Sequence, residues 1–237
     1  MVSVGPYEYK GIIIDNYGCD PETWNNHGSL VEYKGQWYVL YHRSSHHSRT
    51  MRMACIEPIT FNADGTINEV EMTSQGAAPP LDAFARTYAF RACLMHGAAI
   101  KTPPLPSPKG EGVPLAVAYP SPFEEGRGGA PGAAPWALWR YLDFGRGARR
   151  LTLCLEAHAE GKIVVLADSL NSRRLGEVNV KAQDGWQEVS MRIRKIRGVH
   201  ALYLRFEPAE AGHCDATRKE SPYWLRLSWL KFYARTK

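Results

Sequence analysis

The sequence predicts an all-β protein in two parts, on three observations. Residues 1–76 carry two hairpin signals. Residues 136–237 carry seven short runs of alternating apolar and polar residues, separated by turn signals at regular spacing. No stretch shows the 3.6-residue apolar repeat of a helix of any length. Short alternating strands in that number point to a sandwich or barrel.

The elements follow in order. Leu30–Tyr33, the turn Lys34-Gly35 and Gln36–His42 form the first hairpin, since a two-residue loop with glycine second suits the twist of paired strands. Trp37, Val39 and Tyr41 alternate with Tyr38, Leu40 and His42, so the second arm is expected to be buried on both faces. Met51–Phe61, the turn 62–65 and Thr66–Val70 form the second hairpin, with Pro58 at a strand end or bulge. Ala77–Pro80 reads as a linker. Lys101–Pro114 and Pro120–Pro135 are rich in Pro and Gly and read as surface loops. Ala89–Ile100 and Leu115–Tyr119 each offer a strand between them. The last segment places strands at Leu138–Phe144, Arg150–Ala157, Lys162–Asp168, Leu175–Val180, Gln187–Ile193, His200–Phe206 and Trp224–Tyr233. Gly145-Arg146-Gly147, Glu160-Gly161, Asn171-Ser172 and Asp184-Gly185 are the turns between them. The domains are therefore drawn at 1–76, 77–135 (linker and loop-rich start of the second module) and 136–237.

Composition narrows the function classes. The 44% hydrophobic content suffices for an ordinary core. The formal charge of +5 is spread along the chain, with small pairs at Arg149-Arg150 and Arg173-Arg174, which reads as solvated surface rather than a nucleic-acid site. The five cysteines lie far apart without a C-x-x-C pair, against both a zinc site and a disulfide framework. No apolar run is long enough for a bilayer, and the first residues show neither charged leader nor apolar core. The expectation is a cytoplasmic chain with no membrane partner.

Two stretches resemble known families. Gly5–Gly11, Trp24–Ser29, Gly35–Arg43, Cys55–Pro58 and Phe61–Ile67 together resemble the final part of the catalytic domain of glycoside hydrolase family 43, the β-xylosidase and α-L-arabinofuranosidase group. Tyr141–Gly145, Asp184–Val189, Gly198–Leu204 and Leu227–Phe232 are similar to carbohydrate-binding module family 6, a β-sandwich. The fold implied is part of a five-bladed β-propeller, the last-blade region, followed by a β-sandwich jelly roll. The partners implied are plant polysaccharide or oligosaccharide of the xylan or arabinoxylan type, and a chain supplying the remaining blades.

The family 43 resemblance implies an inverting hydrolysis by two carboxyl groups with a water between them. It places the base, the pKa-tuning Asp and the acid Glu on earlier blades, so no residue here is assigned a catalytic role. Asp15, Asp20 and Glu22 read as loop and capping carboxylates. His27 resembles the axial histidine that contacts bound calcium or its waters; a hydrogen-bonded core histidine is the other reading. Calcium prefers oxygen ligands, so contact through water fits an imidazole there. Arg43 resembles the last-blade arginine that reaches the sugar pocket, where a guanidinium donates directionally; an ordinary strand-end arginine is its alternative. His42, His46 and His47 read as polar loop.

In the second module, sugar binding would rest on aromatic faces that pack on pyranose C–H groups. Trp186, beside Asp184-Gly185, is the first candidate, followed by Trp136 and Tyr223, with Trp139 and Tyr119 weaker; Trp229 reads as core. The sequence departs from the family at the last strand. Arg226 stands where an Asn bonds sugar, and Ser228 stands where an Asp is tied to calcium. The resemblance therefore does not carry calcium into the sandwich, and it weakens the usual sugar cleft. Ala209–Ser221 reads as an insertion that reshapes the loops.

Overall fold

The structure is a computed structural model that describes residues 5–19, 27–45, 48–100, 115–118, 134–209 and 223–234. Asp20, Glu22, His46, His47, Tyr119 and nearly all of Ala209–Ser221 lie outside the described residues.

The first module is a three-stranded antiparallel sheet in the order β1-β2-β3, made by β1 (Ser29–Tyr33), β2 (Gln36–Ser45) and β3 (Ser48–Ile59). The β1–β2 turn has positive φ at both Lys34 (53°) and Gly35 (78°), the backbone that matches right-twisted strands. Pro58 pairs opposite Tyr38 one residue from the end of β3, an edge strand where a missing N–H costs no ladder bond. Thr66–Val70 does not form a strand. Among the described residues one isolated bridge, Phe61 to Ile67, and the Asn62 N–H donated to the Thr66 carbonyl (2.8 Å) tie it to the end of β3. Asp64 accepts from the Thr66 N–H and hydroxyl, closing a local turn, and the Val70 N–H then goes to Ile13 (2.6 Å) rather than to β3. The second arm of the first hairpin is also not buried on both faces. Val39 and Tyr41 are buried with Cys19, Ile59 and Met72, but Leu40 on the other face is 40% exposed.

The rest is a two-sheet sandwich. One sheet runs β13-β10-β15-β8-β7, with β5 also on β15; the other runs β12-β11-β14-β9-β4, with β6 also on β9. The middle segment contributes β4 (Leu81–Asp82), β5 (Thr87–Tyr88), a 3-10 turn at Ala89–Arg91, β6 (Leu94–His96), β7 (Ala98–Ile100) and β8 (Leu115–Ala118). Of these short strands β4 and β6 pair with β9 (Trp136–Asp143), β5 and β8 pair with β15 (Tyr223–Tyr233), and β7 pairs with β8. Between those two come β10 (Ala148–Ala157), β11 (Gly161–Ala167), β12 (Gly176–Val180), β13 (Gln183–Ile196) and β14 (Val199–Pro208). All seven strands expected in the last segment are present. Asp184-Gly185, expected as a turn, lies inside β13 instead. Gly185 has φ +79°, and the five residues 183 to 187 of β13 oppose the three residues 155 to 157 of β10, a bulge.

Alternation explains the packing. Leu151, Leu153 and Leu155 of β10 meet Leu202, Leu204 and Phe206 of β14 in one continuous core, with Phe144 edge-on to Phe232 at 4.8 Å. Among the described residues no helix is long and apolar enough to cross a membrane.

Candidate functional site

Three places gather the residues that the sequence singled out. The first is the outer face of the β13-β10-β15 sheet. Since Val189, Met191 and Ile193 turn to the core, Trp186, Glu188 and Ser190 turn outward. Trp186 is half-buried, and the Arg226 guanidinium lies 5.5 Å from its ring centroid. Arg226 also pairs with Glu156, its cross-strand neighbour on β10, and the Gly185 N–H donates to Glu156 (3.3 Å). The bulge thus carries Trp186 and Gly185 to an arginine–carboxylate pair. Tyr223 opens β15 on the same sheet, half-buried and opposite Ala118 of β8. Trp136 is elsewhere: it sits on β9 of the other sheet, with its ring 5.8 Å from Tyr203. The structure therefore brings Trp186 and Tyr223 to one sheet and separates Trp136 from them. Trp229 is buried, with the Arg86 guanidinium 4.4 Å from its ring. Sequence reasoning missed the role of Glu156, although it is the single acid in an otherwise uncharged run from Leu151 to Ala159.

The second place is the junction between the modules, where Arg43 lies. It is buried rather than at a surface, donating to the Cys93 carbonyl (2.5 Å) and lying 3.4 Å from the Met53 sulfur, while its Nε has no partner. Residues 71–76 run beside it and bond to both modules. Toward β3, the Thr73 N–H (2.7 Å) and hydroxyl (2.9 Å) donate to the buried Glu57 carboxylate. Toward the sandwich, Ser74 exchanges bonds with Arg140, Gln75 accepts from the Tyr141 N–H (2.6 Å), and Glu71 takes both the Tyr141 hydroxyl (2.6 Å) and the Arg140 guanidinium (3.0 Å). Burial raises the Glu57 carboxyl above its ordinary range, against the bonds from Thr73 and Tyr41 that favour its charged form. Burial likewise pushes the Cys19 thiol up to about 12 and raises Cys93, so these sulfurs are small core groups rather than nucleophiles.

The third place is His27. It is exposed, its N–H donates to His42 Nε2 (3.2 Å), and its own Nδ1 lies 3.4 Å from that atom. Burial, then Arg52 and His27, lower the His42 imidazole below its usual range, so its Nε2 serves as an acceptor. Among the described residues no group of three or more His, Cys, Asp or Glu side chains could hold a metal ion.

Glu57 and Glu156 are the buried carboxylates among the described residues. One is bonded within the first module and the other within the second. The chemistry they support here is structural bonding.

This geometry, a three-stranded antiparallel sheet fixed by a bonded strap to a β-sandwich, defines a two-module all-β protein. No family model matches the chain. Relatives and a solved structure place it more closely. It is 29% identical to a xylosidase/arabinosidase of Thermoclostridium stercorarium over 84% of this chain and 45% of that protein. It is 27% identical to an arabinoxylan arabinofuranohydrolase of Paenibacillus polymyxa over 89% of this chain and 33% of that one. A solved family 43 arabinoxylan arabinofuranohydrolase from Bacillus subtilis, in complex with cellotetraose, covers 98% of this chain and 45% of its own, with a TM-score of 0.58 and 23% identity. The chain resembles the C-terminal part of family 43 glycosidases followed by a family 6-like sandwich, and it spans less than half the length of these relatives.

Proposed function

We propose that these 237 residues are the C-terminal portion of a family 43-like glycoside hydrolase of the β-xylosidase or α-L-arabinofuranosidase type. The sandwich binds xylan-type polysaccharide, and the three-stranded sheet completes a propeller whose other blades, with the cleavage carboxylates, come from further polypeptide. The observation that carries this reading is the continuous match of 84% and 89% of the chain to two such proteins, across both modules. Exposed Val31 and Leu40 support the need for a neighbouring blade. On its own the chain is catalytically incomplete, because inverting hydrolysis needs two facing carboxyl groups.

One observation favours a second reading, a non-catalytic binding or purely structural accessory. Arg226 occupies the approach to Trp186 while bound to Glu156. Affinity electrophoresis in arabinoxylan separates sugar binding from a purely structural role. On the first reading the chain is retarded, and Trp186→Ala weakens binding about tenfold, a stacking loss of roughly 1–2 kcal/mol. Equal mobility with and without the polymer would leave only the structural role. Turnover of an aryl xyloside by the chain alone would overturn the view that it is catalytically incomplete.

A further inference from the structure

Charge that looks scattered along the sequence is gathered at one edge of the sandwich. Arg150 of β10 lies directly opposite Arg192 of β13, a like-charge pair in register. Such pairs cost stability unless an anion separates them. Beyond that pair the register slips: Ile196 meets Ala148, so the five residues 192 to 196 of β13 oppose the three residues 148 to 150 of β10. Ile193 and Ile196 both stay in the core, and Arg194 and Lys195 between them both turn to solvent. Gly147 sits beneath, where even a Cβ would come within 2.6 Å of the Lys195 side chain and 3.0 Å of Arg197. Arg149, exposed in the same slip, completes the group. Partial desolvation, then Arg197 and Arg149, lower the Lys195 ammonium below its usual range.

None of these six cations takes part in an ion pair among the described residues. The carboxylates on adjoining turns are engaged: Asp143 accepts the Gly145 N–H (2.7 Å), and Asp168 takes His200 (2.8 Å) and the Ala201 N–H (3.1 Å). The nearest ring, Tyr233, already carries Arg150 at 4.4 Å and Lys231 at 5.4 Å. It offers no open platform to a nucleic-acid base. The site is built for anionic groups met by guanidinium forks.

We propose that this edge, formed by Arg149, Arg150, Arg192, Arg194, Lys195 and Arg197, binds a carboxylate-bearing polysaccharide, a glycan chain with uronate residues. The proposal rests on the polysaccharide-binding reading above and names a ligand class for a surface distinct from Trp186. The test is affinity electrophoresis of the full chain in four polymers: polygalacturonate, its carboxyl-reduced form, neutral arabinoxylan and duplex DNA. Polygalacturonate is expected to retard the chain and its reduced form not to, with release between about 50 and about 500 mM salt as exposed charges are screened. Replacing two of the exposed arginines, Arg192→Gln with Arg194→Gln, is expected to weaken retardation by polygalacturonate about fivefold, leaving that by arabinoxylan unchanged. Arg192→Lys, which keeps the charge, is expected to retain most of it. No retardation by polygalacturonate, equal retardation by the reduced polymer, or equal retardation by DNA overturns the proposal. Loss of arabinoxylan binding alone counts against the earlier reading and leaves this one standing.

Discussion

The two modules solve the same burial problem to different degrees. The sandwich closes its core between two six-stranded sheets, with Trp139, Phe144, Phe206 and Phe232 fully enclosed. The three-stranded sheet covers one face with a small cluster around Val39, Tyr41 and Met72, and leaves Val31 and Leu40 partly in water on the other. A sheet of three strands with one apolar face is near the lower limit of independent stability. The difference shows that the first module draws order from its attachment. The hydrogen bonds of residues 71–76 to Glu57 on one side and to Arg140 and Tyr141 on the other carry that attachment.

The sharpest way to break this comparison is to cut each core in turn. Phe232→Ala removes a fully buried ring and its edge-on contact with Phe144, and should cost about 3–5 kcal/mol. Met72→Ala in the small cluster should cost about 2 kcal/mol, the low end for such truncations, since a partly open site collapses more readily. Denaturant unfolding followed by tryptophan fluorescence gives both values. Equal costs would mean that the two cores are equally well closed.

Much of this division was legible in the sequence. All seven strands of the last segment could be read because period-2 alternation and Gly-containing turns are local properties. The misreadings have local causes too. Asp184-Gly185 reads as a turn because a bulge and a tight turn call on the same left-handed glycine. Thr66–Val70 alternates like a strand, but the side chain of Asp64 captures its first N–H. What stayed hidden depends on sheet order. Arg226 meets Glu156 across 70 residues, and Arg43 reaches Cys93 across 50. The basic edge was hidden for the same reason: Arg149 and Arg150 look like an isolated pair until β10 lies against β13. Trp136 was grouped with Trp186 by residue type, and only the topology places them on different sheets.

A second experiment sharpens the role of the strap. Glu57 has its carboxyl raised in the folded state, so between its unfolded value near 4.5 and its folded value the native chain holds a proton that the unfolded chain has released. The contribution to stability is therefore greatest at the acid end of that window and is lost as pH rises through the folded pKa. Glu57→Gln keeps an acceptor for the Thr73 N–H and removes the ionisation. It should flatten the decline of stability with pH above 4.5, at a net change near neutrality of about 1 kcal/mol. Chemical denaturation at a series of pH values measures this. A pH dependence identical in the variant would place the titrating group elsewhere.

The smallest effect tests what the first module is for. Leu40 lies on the outer face of β2, in register with Ser29 and Ile56, and Val31 lies beside Tyr38 on the same face. In the chain by itself, Leu40→Thr removes apolar surface that water already reaches. The stability change should stay within about 0.5 kcal/mol, and threonine suits a strand. Self-association at high concentration, followed by light scattering, should fall. In a protein that supplies the neighbouring blade, the same substitution would place a hydroxyl in a packed interface and should cost about 1–3 kcal/mol. A cost that appears only when the blade is present identifies this face as an interface between blades. An equally small cost in both settings would mean that the face stays in water even in the complete protein, and that the first module is an appendage of the sandwich rather than part of a propeller.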